Sequence, residues 1–275
     1  MRPTLTGFVA DRFALTLKES FLTVPIETPF YLDWKFWSVV VSCIAIALSQ
    51  LPPVYLWFRP KRLYVEVHSR IQITHKVGNP NAGLYVSIGN TGGRELRVRA
   101  LRLNFSRDNK SLLSLSAQNY FEKPSDQSSV LFVPFSLKPG EHWSHAANFF
   151  NPFDRATEKF YRESESVLAA DIRKRIQARV VDDKQLVMAE PALVTPFMQL
   201  FSKLFIWEPG EYVFELVVEA QPGSASYSKK YRFTLYESDT AELRKYTEDY
   251  LSGGGIYYHA DRHVGVFVSL SEHVG

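Results

Sequence analysis

Cysteine is all but missing from this chain: Cys43 is the single one in 275 residues. No intrachain disulfide can form, and nothing in the fold requires an oxidising compartment. A dominant charge is missing too. The net charge of +3 is too small to mark a nucleic-acid binder, so no nucleic-acid partner is expected. Signatures of common catalysts are also lacking. There is no G-x-S-x-G nucleophile elbow, and Ser252-Gly253-Gly254-Gly255 lacks the Lys-Ser/Thr pair of a phosphate loop. What is present belongs to a folded protein: 45% hydrophobic and 22% charged residues exclude a disordered chain.

One long apolar run stands out. Residues 36–58 carry no charge over 23 positions, and a bilayer core needs roughly 20 residues of helix. Trp34, Phe36 and Trp37 mark one end, and Tyr55, Trp57 and Phe58 the other, as in an aromatic belt. The run therefore predicts a single transmembrane helix over residues 34–58, with Pro52 and Pro53 interrupting it near its end. Lys18 and Lys35 precede the uncharged run, whereas Arg59, Lys61, Arg62, Arg70 and Lys76 follow. That imbalance predicts an inner-membrane protein with its C-terminal domain in the cytoplasm. In the tail of residues 1–33, Val9, Phe13, Leu17 and Phe21 form one helical stripe.

From Leu63 the apolar period falls to two. Leu63, Val65 and Val67 alternate with Tyr64, Glu66 and His68, as in a half-buried strand. Gly78-Asn79-Pro80-Asn81 reads as a turn. Lys138-Pro139-Gly140-Glu141 and Glu208-Pro209-Gly210-Glu211 read as type II turns leading into strands. A last hairpin is expected to join Ile256-Tyr257-Tyr258 to residues 264–269. Residues 152–206 differ in character. A helix is expected over residues 153–181, with Asn151 or Asp154 as cap and Phe160, Leu168, Ile172, Ile176 and Val180 as its apolar stripe. A second helical face carries Phe197, Phe201, Leu204 and Phe205. The fold class expected is mainly β: an antiparallel sandwich over residues 59–275 with a helical insertion at about 152–206.

The rhythm of LYVSIGNTGG followed by a strand, and of SLKPGEHW followed by a strand, resembles immunoglobulin-like sandwiches over about residues 62–150 and 207–237. The cysteine pair and core tryptophan pattern of true immunoglobulin domains are absent. The resemblance implies a fold and no activity.

Candidate chemistry is sparse. His259, Asp261 and His263 surround an expected turn and are residue types that bind zinc, but no fourth ligand accompanies them. A solvated turn is the simpler reading, and neither a metal nor a cofactor is expected. His142 and His145 fall on opposite faces of one strand. Arg94, Arg97, Arg99, Arg102 and Arg107 crowd one strand region, suited to acids of a partner or to lipid headgroups. The binding residues expected are Arg94, Arg97, Arg99, Arg102, Phe197, Phe201 and Phe205. The function expected is a non-catalytic, membrane-anchored interaction module that binds a protein partner and membrane lipid. The alternatives are a hydrolase built on His259, Asp261 and His263, or a small-ligand sensor.

Overall fold

The structure is a computed structural model that describes residues 29–50, 59–108, 110–123, 126, 128–179 and 185–273. The chain divides into two compact units near residue 54. The first contains helix α1, Trp34–Gln50. A short 3-10 turn at Phe30–Leu32 precedes it, and the Trp37 indole donates to Tyr31 O at 2.7 Å.

The expectation of a membrane span is overturned here. Among the described residues no helix is long and apolar enough to cross a membrane. The 17 residues of α1 extend about 25 Å at about 1.5 Å per residue, against a hydrocarbon core of about 30 Å. The uncharged run reached its length only by counting across Pro52 and Pro53, which cannot donate helical hydrogen bonds. The inner-membrane placement and the cytoplasmic orientation rested on that span and fall with it. Residues 51–58, and the expected stripe of Val9, Phe13, Leu17 and Phe21, lie outside the described residues.

The second unit is built on antiparallel strands: β1 (Leu63–Val67), β2 (Arg70–Lys76), β3 (Asn79–Asn90), β4 (Leu96–Arg107), β5 (Lys110–Phe121), β6 (Val130–Leu131), β7 (Phe135–Leu137), β8 (His142–Phe150), β9 (Gly210–Gln221), β10 (Tyr227–Leu235), β11 (Val266–Ser269) and β12 (Ser271–Glu272). Their order is β11-β2-β3-β8-β5-β4-β9-β10-β12, with β1 on β3, β6 on β5 and β7 on β4. This corrects the expected immunoglobulin-like sandwich. The two layers are not separate sheets. Residues 110–116 of β5 pair with β4, and residues 117–121 pair with β8. At the opposite side β11 pairs with β2 while β12 pairs with β10. One sheet thus bends round and nearly closes on itself.

Alternation fills the interior. On β9, Tyr212, Phe214, Leu216, Val218 and Ala220 are buried, and Glu211, Glu215 and Glu219 face out, as period two requires. Each large apolar side chain so buried contributes roughly 1.5–3 kcal/mol.

The first hairpin turns two residues earlier than its sequence suggests. Lys76 pairs with Asn79, so Val77 and Gly78 form the reversal, with φ of 49° and 81°. Two positive φ values are what a tight two-residue hairpin needs. Gly78 has no alternative, because a Cβ there would lie 2.7 Å from Phe201 O. Pro80 sits in β3 without loss. Its N–H would point away from β2, and pairing with β8 begins only at Asn81. Of the two Pro-Gly turns, Gly140 has φ 82° and Glu141 N donates to Lys138 O at 3.0 Å, as type II requires. Gly210, at φ 145°, departs from type II and opens β9. The expected terminal hairpin does not form either: β11 pairs with β2, and residues 256–258 stay outside the sheet.

Helices α2 (Arg155–Gln177) and α3 (Thr195–Leu204) occupy the expected insertion. The Asp154 carboxylate caps α2, accepting from Ala156 N and Thr157 N at 2.9 Å each. The buried stripe is Tyr161, Leu168 and Ile172, while Phe160 and Ile176 are exposed. Helix α4 (Glu237–Lys245) runs into a 3-10 turn, Tyr246–Ser252. Helices α2 and α3, the 3-10 turn and the β2–β3 turn share a second apolar core around Tyr161, Phe197, Phe201 and Tyr250.

Candidate functional site

The opening in the sheet follows from a bend between β1 and β2. Both pair with β3, but residues 68–71 lie opposite only Leu84 and Tyr85. Extra residues on one strand bulge and bend it. Thr91 N donates to Arg62 O at 3.1 Å and His68 N to Tyr85 O at 3.0 Å. Even-numbered residues of β1 therefore turn their main-chain groups toward β3, and Leu63, Val65 and Val67 turn theirs the other way.

That outer row is occupied only in part. Ile73 and Ile71 of β2 lie opposite Val266 and Val268 of β11, and Leu270 N donates to Ser69 O at 2.8 Å. Pairing on this edge stops there. The C-terminal strand crosses to β10, with Ser271 and Glu272 opposite Arg232 and Tyr231. His273 N then donates to Lys230 O at 3.1 Å. Among the described residues, no hydrogen bond is made by the main-chain groups of Leu63, Val65 and Val67 on this side.

A groove of about 580 Å³ lies where the strands part. Leu63, Val65 and Val67 form one wall. Tyr227, Lys229 and Tyr231 form the other, and Leu270 and Glu272 stand at its end. Lys229 is ion-paired with Glu272 and lies 5.7 Å from the centre of the Tyr231 ring. The hydrogen bond to Glu272 raises the Lys229 ammonium above its ordinary value. Burial raises the Tyr231 hydroxyl. At the rim the Tyr64 hydroxyl donates to Glu66. On the other side of the crossing strand a second hollow of about 500 Å³ separates β11 from the end of β10.

The arginines expected to bind lie elsewhere, on and near β4. Arg94 is in the loop before it. Arg97 is exposed opposite Gln221 and Ser136. Arg99 is exposed at the irregularity between Val98 and Ala100. Arg102 is ion-paired with Glu219, and Arg107 donates to the Tyr212 hydroxyl at 3.3 Å. Among the described residues Arg94, Arg97 and Arg99 make no ion pair, and the basic stripe is broken up by its neighbours. Phe197 and Phe201 are interior, at 0% and 5% exposure. Phe205 is half-buried, stacked on Phe201 at 4.7 Å.

His259, Asp261 and His263 do not converge. His263 turns inward, and its Nε2 lies 2.8 Å from Asp249 Oδ2. Arg262 also pairs with Asp249. Among the described residues no group of three or more His, Cys, Asp or Glu side chains is placed to hold a metal ion. His263 stacks on Tyr246 at 4.3 Å, and Tyr246 packs against His75 at 5.6 Å. His75 Nδ1 accepts from Gly78 N at 3.0 Å, and Nε2 donates to Leu243 O at 2.9 Å. Both ring nitrogens are thus used by the neutral imidazole. Burial lowers its pKa to about 4, and nearby His263 adds to the shift. These contacts tie the first hairpin, α4 and the approach to β11 together.

The groove residues were not singled out by sequence reasoning. Alternation marks Leu63, Val65 and Val67 as a strand, but an edge is defined by what lies beside it. No protein-family model and no curated protein matches this chain.

Proposed function

We propose that the chain is a non-catalytic interaction module that receives a polypeptide partner in the groove between β1 and β10. The observation that carries this reading is the row of main-chain groups at Leu63, Val65 and Val67 that turn away from β3 and make no hydrogen bond among the described residues, backed by apolar side chains. A strand edge with free donors and acceptors recruits another strand, and side-chain pockets then select among candidates.

The test uses the full chain and a displayed library of short random peptides. Bound peptides should lose affinity for Val65→Pro. That change deletes one groove-facing N–H, while the bonds from β1 to β3 use Tyr64 and Glu66. One lost main-chain hydrogen bond is worth about 1 kcal/mol, or roughly fivefold in affinity, and the proline ring adds to the loss. Tyr64→Phe, which keeps the backbone and removes only a rim hydroxyl, should bind as before. Selected peptides that bind Val65→Pro as well as the parent would place the interaction elsewhere and refute the proposal.

A further inference from the structure

We infer that a corner of the sheet, built by β6, β7 and the start of β4, docks on a bilayer surface that carries anionic phospholipid. The corner is separate from the groove between β1 and β10. The contact needs no helix that crosses the membrane.

The corner arises where β5 leaves β4 for β8. β7 takes the vacated place beside β4, and β6 lies beside Asn119 and Tyr120 of β5. The link between β6 and β7 alternates. Phe132 and Phe135 turn inward, with ring centres 6.2 and 5.1 Å from that of Trp143. Leu131 and Val133 turn outward and are 73% and 62% exposed. Val130 and Pro134 beside them are exposed as well. Single apolar residues at a surface are ordinary, whereas a contiguous apolar ridge marks a contact. No charged residue occurs between Asp126 and Lys138 to interrupt it.

Cations collect along one flank of this ridge. Arg97 lies opposite Ser136, and the same register carried forward sets Arg99 beside Pro134. Residues directly opposite share a face of the sheet, and both arginines are exposed. Asn90 gathers four more. Its side-chain amide donates to Leu137 O and Arg94 O at 2.8 Å each. Its carbonyl accepts from Gly140 N at 2.9 Å, and the next residue, Thr91, donates from its N to Arg62 O. Lys61, Arg62, Arg94 and Lys138 are thereby brought to the end of β7. The acids of these same segments are Glu95 and Glu141, while Glu122 and Asp126 belong to the loop on the other flank. Among the described residues none of these six cations makes an ion pair. Arg102 and Arg107 differ, being held by Glu219 and Tyr212.

A bilayer offers both complements at once, anionic headgroups at its surface and hydrocarbon beneath. A protruding aliphatic ridge needs no matching pocket in lipid, whereas a folded protein would have to supply one. Arg97 and Arg99 suit phosphate oxygens, which a guanidinium binds through two parallel hydrogen bonds. Leu131 and Val133 then enter the acyl boundary.

The test uses the full chain with vesicles of phosphatidylcholine, alone or with roughly one third phosphatidylserine. Helix α1 also exposes apolar side chains, so the readout is local. Cys43→Ser removes the only thiol, and Val133→Cys then carries a polarity-sensitive dye. Its emission should shift to the blue with the anionic vesicles and stay unchanged with the neutral ones. A dye at Val264→Cys, equally exposed but remote from the ridge, should not shift with either. Arg97→Gln combined with Arg99→Gln should raise the lipid concentration needed about 20-fold, since each cation near such a surface contributes about fivefold. Melting curves show whether the fold is kept, and Arg97→Gln alone, at about fivefold, preserves the test if the pair unfolds. In sedimentation, the unlabelled Leu131→Ser chain should also bind anionic vesicles less. A dye at residue 133 that stays in water, or that shifts equally with neutral vesicles, would overturn the proposal. So would emission already blue in the free protein, which would mean that another part of the chain covers the ridge. An equal shift with soluble polyglutamate would assign the corner to an acidic polypeptide instead of lipid.

Discussion

Stability should fall steeply on mild acidification, and His75 should account for much of the fall. Its imidazole is 8% exposed, and its pKa is lowered to about 4 from an ordinary 6.5. The cause is first burial, which disfavours the cation, and then the nearby His263. Protonation would also turn Nδ1 from an acceptor into a donor facing Gly78 N–H. The unfolded chain therefore takes up this proton first as pH drops below 6.5, and the folded chain only near 4. The native state is fully favoured above the unfolded value and loses ground through the interval. Each pKa unit is worth about 1.4 kcal/mol, so the 2.5-unit difference removes about 3 kcal/mol by the time both forms are protonated. His263 is lowered as well and acts in the same direction. Urea unfolding between pH 7.5 and 4, for the parent and for His75→Gln, separates the two. The glutamine side chain keeps a donor and an acceptor but cannot titrate, so the variant should start less stable and then decline more shallowly. Parallel pH profiles for parent and variant would refute this account of His75. So would a parent whose stability rises on acidification.

Two further outcomes concern the second core. Phe201 lies inside it, packed on Phe205 and His75, so Phe201→Ala should cost about 3–5 kcal/mol in a denaturant titration; an unchanged midpoint would mean the side chain is not buried. Tyr161 and Tyr250 should respond oppositely to loss of their hydroxyls. Tyr161 Oη donates to Ile256 O at 2.6 Å, and Tyr161→Phe should lose about 1 kcal/mol. Among the described residues the Tyr250 hydroxyl is buried without a partner, so Tyr250→Phe should be neutral or gain about 1 kcal/mol. Equal losses at both positions would show that Tyr250 has a hydrogen bond of its own.

The features legible in the sequence are those set by near neighbours along the chain. The Pro-Gly turn at residues 208–211 marks the start of β9, and a cap at Asn151 or Asp154 with an apolar stripe that includes Leu168 and Ile172 marks α2. Features set by topology were harder to see. The apolar spacing on α2 points to Phe160 rather than Tyr161, because which side of a helix is covered depends on where α3 and Tyr250 lie. Pro80 suggested a turn, yet Val77 makes it. A branched residue at positive φ is a poor local choice, and here its side chain is buried in the second core. The membrane reading counts the apolar run across Pro52 and Pro53, whereas α1 holds the 17 residues Trp34–Gln50. The groove was invisible for a related reason. Leu63, Val65 and Val67 look like any other strand until the chain passes from β11 on β2 to β12 on β10.

Amide hydrogen exchange along β1 in the free protein tests the open edge most directly. Tyr64 and Glu66 should be protected by their bonds to β3, and Leu63, Val65 and Val67 should exchange rapidly, giving an alternating record over these five residues. Addition of a bound peptide should then slow Val65 and its odd-numbered neighbours and leave Tyr64 unchanged. Uniform protection of all five amides in the free protein would mean that the edge is already paired, and the groove could not serve as the binding site.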